Sequence, residues 1–115
     1  MKQIILGKTN QSVSSVSLGT WSFGGANVSG TVPVGWANQT DEDSFKSLLA
    51  AHEAGINHWD TADVYGGGRS EKIIGSMWEN IPRNEIFLAT KVGWDKGKHK
   101  HWYNQKHMLR EPLTV

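Results

Sequence analysis

The stretch "NHWDTADVYGGGRSEKIIG", residues 57–75, decides the fold. A short mixed run ends in an acid, Asp60. Tyr65 follows five residues later, and Gly66, Gly67 and Gly68 come next. The run before the acid reads as a strand over residues 56–60. Beyond the glycines, Ser70 is placed to cap a helix reaching Trp78, with Ile73, Ile74, Met77 and Trp78 as its apolar residues and Pro82 helping to close it. A strand, a tight glycine loop and a helix make one unit of an alternating β/α chain.

The flanking sequence repeats that unit. Upstream, Thr40 opens a helix whose first turn holds Asp41, Glu42 and Asp43, where negative charge complements the helix dipole. Phe45, Leu48, Leu49 and His52 fall on one face, and Gly55 sits where a helix stops. Downstream, "EIFLATKVGW" is the best strand in the chain; Phe87 and Leu88 lead to Lys91. The N-terminal "KQIILGKTNQSVSSVSLGT" reads as a hairpin followed by a strand ending near Leu18, just before Gly19, Thr20 and Trp21. Residues 22–39 show no period and are expected to be a long loop. Alternating β and α elements with short connections argue a parallel sheet.

In such a sheet the carboxyl ends of the strands point one way, and chemistry gathers there. Asp60 and Lys91 end neighbouring strands, and Tyr65 lies just past Asp60. A free phenol titrates near pH 10 and is a poor acid at neutral pH, but an adjacent ammonium favours the phenolate. Lys91 can supply that ammonium, and Asp60 can keep it charged and aimed. A tyrosine so tuned can protonate a carbonyl oxygen as hydride reaches the carbon. No side chain donates hydride, so a nicotinamide cofactor is implied.

Composition bounds the rest. The chain has 115 residues, one domain over residues 1–115, with 13 glycines, six tryptophans, no cysteine and a net charge of +1. No disulfide or thiolate metal site can form. The balanced charge argues against nucleic-acid and membrane partners. No apolar run is long enough to span a bilayer, so a cytoplasmic location is expected. "GGGRS" lacks the spacing of a phosphate-binding loop and reads as loop geometry, with Arg69 and Glu71 at a solvated helix start. His99, His101 and His107 lie in a basic tail without metal-ligand spacing, so no metal is expected. A further helix is expected around residues 105–110.

"GTWSFGG", "GINHWDTADVYGGGRSEKIIG" and "EIFLATKVGW", in that order, resemble the aldo-keto reductase superfamily, in particular its bacterial and potassium-channel-β-related branch. The resemblance implies a partial (β/α)8 TIM barrel: an N-terminal hairpin plus about three βα units. It implies reduction of aldehydes or ketones with NADPH, or NADH, and a small carbonyl compound as substrate. Asp60, Tyr65 and Lys91 match three members of a catalytic tetrad. Gly19, Thr20 and Trp21, with Asp60, fall on the cofactor side, and Trp21, Tyr65 and Trp94 on the substrate side. The fourth tetrad member, a histidine ending the fourth strand, and the strands gripping the adenosine phosphate are expected to lie beyond this chain, since a complete barrel takes about 250 residues. A second reading is a non-catalytic truncated piece that pairs through open strand edges, with itself or with a complementing C-terminal fragment. A third is a cofactor-sensing subunit like the channel-associated relatives.

Overall fold

The structure is a computed structural model and describes residues 1–92. Strands β1 (Gln3–Ile5) and β2 (Ser12–Ser14) form an antiparallel hairpin. Strand β3 (Ser17–Gly19) leads into a single turn of 3-10 helix, Trp21–Gly24. Strands β4 (Ala26–Ser29) and β5 (Val32–Gly35) follow, then helix α1 (Asp41–Glu53). Strand β6 (His58–Asp60), helix α2 (Arg69–Ser76) and strand β7 (Phe87–Ala89) complete the order.

Strands β3, β6 and β7 form one parallel sheet in that spatial order. Their register aligns Gly19 with Asp60 and Asp60 with Ala89, so all three strands finish on one line. Strand alternation sends Leu18, Trp59 and Leu88 to the helix side. There Trp59, fully buried, packs with Leu48 of α1, Ile73 and Ile74 of α2, and Met77, Ile81 and Ile86. Its indole N–H donates to the Ile56 carbonyl at 2.8 Å, so burying the ring strands no donor. The other face carries Ser17, Gly19, His58, Asp60, Phe87 and Ala89, none of them fully buried. A parallel sheet with helices on one face and half-buried side chains on the other is an arc of a (β/α)8 barrel, as the resemblance implies.

The β1–β2 hairpin sits at the amino end of that sheet. Ser14 N–H donates to Asn57 Oδ1 at 2.7 Å, and Asn57 N–H donates back to Ser14 Oγ at 3.2 Å. The hairpin therefore occupies the end opposite Asp60 and leaves the carboxyl end open. Helix α1 begins as expected: Thr40 Oγ1 accepts from Asp43 N–H at 3.1 Å, a cap worth about 1 kcal/mol.

Three expectations are corrected. Residues 22–39 are not a plain loop; they hold the β4–β5 hairpin, whose two-residue turn has Gly30 first with a φ of +65°. A type II′ hairpin takes glycine at that position. Ser70 does not cap α2, whose N-cap is Gly68; its hydroxyl is buried and points to the strand ends. Arg69 and Glu71 are engaged rather than merely solvated. Arg69 binds Asp41 through Nη2 at 2.6 Å and Nε at 3.1 Å, joining α2 to α1, and Glu71 accepts from Thr90 Oγ1 at 2.7 Å. Trp94, the basic tail with its histidines and the helix expected around residues 105–110 lie outside the described residues.

Candidate active site

The site is built where β3, β6 and β7 end. The ladder runs past the strands: Thr20 N–H donates to the Asp60 carbonyl, Thr61 N–H to that of Ala89, and Asp63 N–H to that of Lys91. The three exits are thus held side by side by backbone bonds.

A buried knot of hydroxyls reinforces them. Thr20 Oγ1 donates to the Asp60 carbonyl at 2.9 Å. Ser70 Oγ lies 2.9 Å from Thr61 Oγ1, 2.9 Å from Thr20 Oγ1 and 3.0 Å from the Thr20 carbonyl. Ser70 has one proton, so Thr61 donates to Ser70 and Ser70 donates to Thr20. This ties the turn after β3, the exit of β6 and the first turn of α2 together. Sequence reasoning missed the knot. The available signal was three hydroxyl residues at strand exits and a helix start. Thr20, expected beside a cofactor, has its side chain wholly buried in this knot.

The glycine loop explains how Tyr65 is presented. Gly66, Gly67 and Gly68 all have positive φ, between +62° and +94°. Three consecutive left-handed residues reverse the chain from β6 into α2, which side chains with a Cβ rarely permit. Gly66 also lies against Gly24: a Cβ on either would collide with the other's backbone. That contact presses the loop onto the 3-10 turn carrying Trp21.

Asp60, Tyr65 and Lys91 come together. Lys91 Nζ donates to Asp60 Oδ1 at 2.5 Å, to the Thr61 carbonyl at 2.8 Å and to Tyr65 Oη at 3.5 Å. It is 5.2 Å from the Tyr65 ring centroid, nearer the oxygen than the ring. Burial alone would lower the Lys91 pKa. Its hydrogen bonds to Asp60 and Tyr65, and the charge of Asp60, outweigh that and raise it above the ordinary lysine value of 10.5. Lys91 is therefore a fixed ammonium at neutral pH.

Trp21 stacks on Tyr65 with centroids 6.1 Å apart and planes 26° apart, and meets Trp36 edge-on at 4.6 Å. Trp21 remains 47% exposed, a flat face turned to solvent beside the phenol. Gly19 has open space where a Cβ would be. A cleft of about 750 Å³ opens here, bounded by Trp21, Tyr65, Lys91, Ala62 and Val64, with β4 and β5 on its far side. Its size and largely apolar wall suit a small organic ligand. An exposed indole, an uncrowded Gly19 and a phenol beside an ammonium are chemically compatible with the nicotinamide end of a dinucleotide.

Comparison with known proteins agrees with the architecture. The family model described as "Aldo/keto reductase family" matches residues 15–111. An NADH-specific methylglyoxal reductase of Escherichia coli is 36% identical over 84% of this chain and 28% of its own length. A probable voltage-gated potassium channel subunit beta of Oryza sativa is 32% identical over 90% of this chain and 29% of its own. Among solved structures, an aldo-keto reductase from Bacillus halodurans in its holo form superposes with a TM-score of 0.66 at 30% identity, over 90% of this chain and 30% of that one. The chain thus spans less than a third of the length of these relatives. With a family model covering most of its residues, and the hairpin, parallel strands and helices in the same arrangement, the chain belongs to the aldo/keto reductase family.

Proposed function

We propose that this chain carries the proton-donating half of an NAD(P)H-dependent reduction of aldehydes or ketones to alcohols. The observation that supports the reading best is the single ammonium of Lys91 bonded to both Asp60 and Tyr65 at the mouth of the cleft. Gly19, Trp21 and Asp60 border the side that would hold the nicotinamide, and Thr20 fixes their positions through its bonds to Asp60 and Ser70. When bound, the reduced nicotinamide supplies hydride to the carbonyl carbon. Tyr65 Oη gives its proton to the carbonyl oxygen. Lys91 stabilises the phenolate left behind, and Asp60 holds Lys91 in place with its charge intact. Trp21 and Tyr65 flank the substrate on this reading, and Trp94 is proposed to join them.

Ketone- or aldehyde-dependent loss of NADPH absorbance by the chain combined with a complementing C-terminal fragment tests this, since full activity is expected only with those strands in place. The expected result is turnover that drops by about 10²–10⁴-fold in Tyr65→Phe. Turnover unchanged in Tyr65→Phe would refute Tyr65 as the acid.

A second reading has its own support. Within the described residues β3 and β7 each bond to one strand only, so two parallel edges stand open. On that reading the chain pairs with a second copy or with a complementing C-terminal piece. It predicts no NADPH binding by the chain alone and an oligomer that grows with concentration.

A further inference from the structure

The β4–β5 hairpin leaves the body and returns to it in one excursion, from Gly25 to Gln39, and Arg69 touches both ends. Its Nη2 donates to the Gln39 carbonyl at 3.3 Å and, together with Nε, to Oδ1 of Asp41, the first residue of α1. Its Nη1 lies so near Gly25 that a Cβ there would collide with it. Gly25 is the root of the hairpin. Its carbonyl accepts from Trp36 N–H at 3.1 Å, and a Cβ on Gly35 would strike that same oxygen. Trp36 in turn meets Trp21, and Trp21 stacks on Tyr65. Asn27 pairs with Val34, so both share one face of the hairpin with Ser29, and these residues border the cleft. A line of contacts therefore runs from a guanidinium to the wall beside the phenol, although Arg69 takes no part in the proton transfer.

We infer that Arg69 is a positioning residue for this site, an inference that rests on the reading of the cleft as a carbonyl site: its planar fork clasps both ends of the hairpin excursion, which keeps Trp36 on Trp21 and Trp21 stacked on Tyr65. As a source of global stability the Arg69–Asp41 pair is weak, because its side chains are 35% and 57% exposed and open to screening by salt. Its geometry is what matters. A guanidinium holds several donors in one plane, so it can bond a carboxylate and a backbone carbonyl at once; the ammonium of a lysine cannot match that fork. A further tie of the hairpin to the body, from Asn27 Nδ2 to the Val64 carbonyl, is long at 3.5 Å. Opening the clasp thus loosens the hairpin and leaves the parallel sheet, Asp60 and Lys91 in place.

Amide hydrogen exchange of the full chain, read by NMR, tests this independently of turnover. In Arg69→Gln the Trp36 amide should exchange at least about tenfold faster, while the Phe87 amide, bonded to the Asn57 carbonyl in the sheet, keeps its rate. A variant that merely loses stability speeds both. Arg69→Lys, which keeps the charge but not the fork, should behave as Arg69→Gln. Asp41→Ala should give the same local effect, and the double variant no more than either alone. With the complementing C-terminal fragment present, Arg69→Gln should raise KM for acetophenone about tenfold and leave kcat within about twofold, since Tyr65, Lys91 and Asp60 are untouched. If the Trp36 and Phe87 amides respond equally, or neither responds, the clasp is overturned whatever the turnover. A Trp36 response with KM unmoved overturns the positioning role. If the Trp36 amide alone responds and the complemented native chain reduces no ketone, the clasp stands and the carbonyl reading falls.

Discussion

Lys91 is the residue on which the site turns, because one ammonium bonds Asp60, Tyr65 and the Thr61 carbonyl. Both it and Asp60 are partly open to solvent, with side chains 44% and 38% exposed, so screening limits the pair to at most about 1 kcal/mol of stability. Its effect on protonation is better defined. The folded chain raises the Lys91 pKa above 10.5 and so holds that proton more tightly than the unfolded chain does. The associated stability is complete below the unfolded lysine value of about 10.4 and is lost as pH climbs through the folded one; nothing changes between pH 6 and 9. Titration of the Lys91 Cε resonance should place its midpoint above 10.5, and Asp60→Asn should lower it by removing the strongest of the raising partners. A midpoint unmoved by Asp60→Asn would mean that the two groups do not touch in solution.

At the scale of elements, the loop between β6 and α2 fixes where the phenol stands. Gly66 and Gly67 have nearly the same positive φ, yet only Gly66 lies against Gly24; a Cβ on Gly67 would meet nothing. Gly67→Ala therefore carries the left-handed penalty alone, about 1–2 kcal/mol. Gly66→Ala adds a backbone collision, which should raise the cost by a further 1–3 kcal/mol or so and displace Tyr65 from Lys91. Thermal unfolding of the two variants separates these effects; equal losses would show that the Gly24 contact is immaterial. The glycine run itself was legible in the sequence, as were α1 with its Thr40 cap and the three strand ends carrying Gly19, Asp60 and Lys91, because periodicity and turn chemistry are local signals. The β4–β5 hairpin was not. Its strands are four residues each, and Gly30, Pro33 and Gly35 break any alternation, so pairing decides their shape. The knot of Thr20, Thr61 and Ser70 escaped for a related reason. Ser70 is well placed as a cap by spacing alone, but the fold buries it against Thr20, fifty positions away. Trp36 on Trp21 is likewise a contact between segments that no local pattern announces.

For the molecule as a whole, the consequential feature is a sheet covered on one face. Trp59 and its neighbours seal the helix side, while His58 and Phe87, edge-on at 5.5 Å, stand half-buried on the other. With β3 and β7 each paired on one side within the described residues, the second reading predicts that the 115-residue chain self-associates. Sedimentation equilibrium should show an average mass that rises with concentration; a monomer throughout would mean that the edges are protected. None of the described helices is long and apolar enough to cross a membrane. The architecture and the chemistry meet in the convergence of an acid, an amine and a phenol at the carboxyl end of two neighbouring strands. The most direct measurement of that convergence is a nuclear Overhauser experiment on the chain carrying labelled lysine and tyrosine. A cross-peak between the Lys91 ε-protons and the Tyr65 ring, lost in Asp60→Ala, is the predicted result. Its absence from the native folded chain would contradict the account.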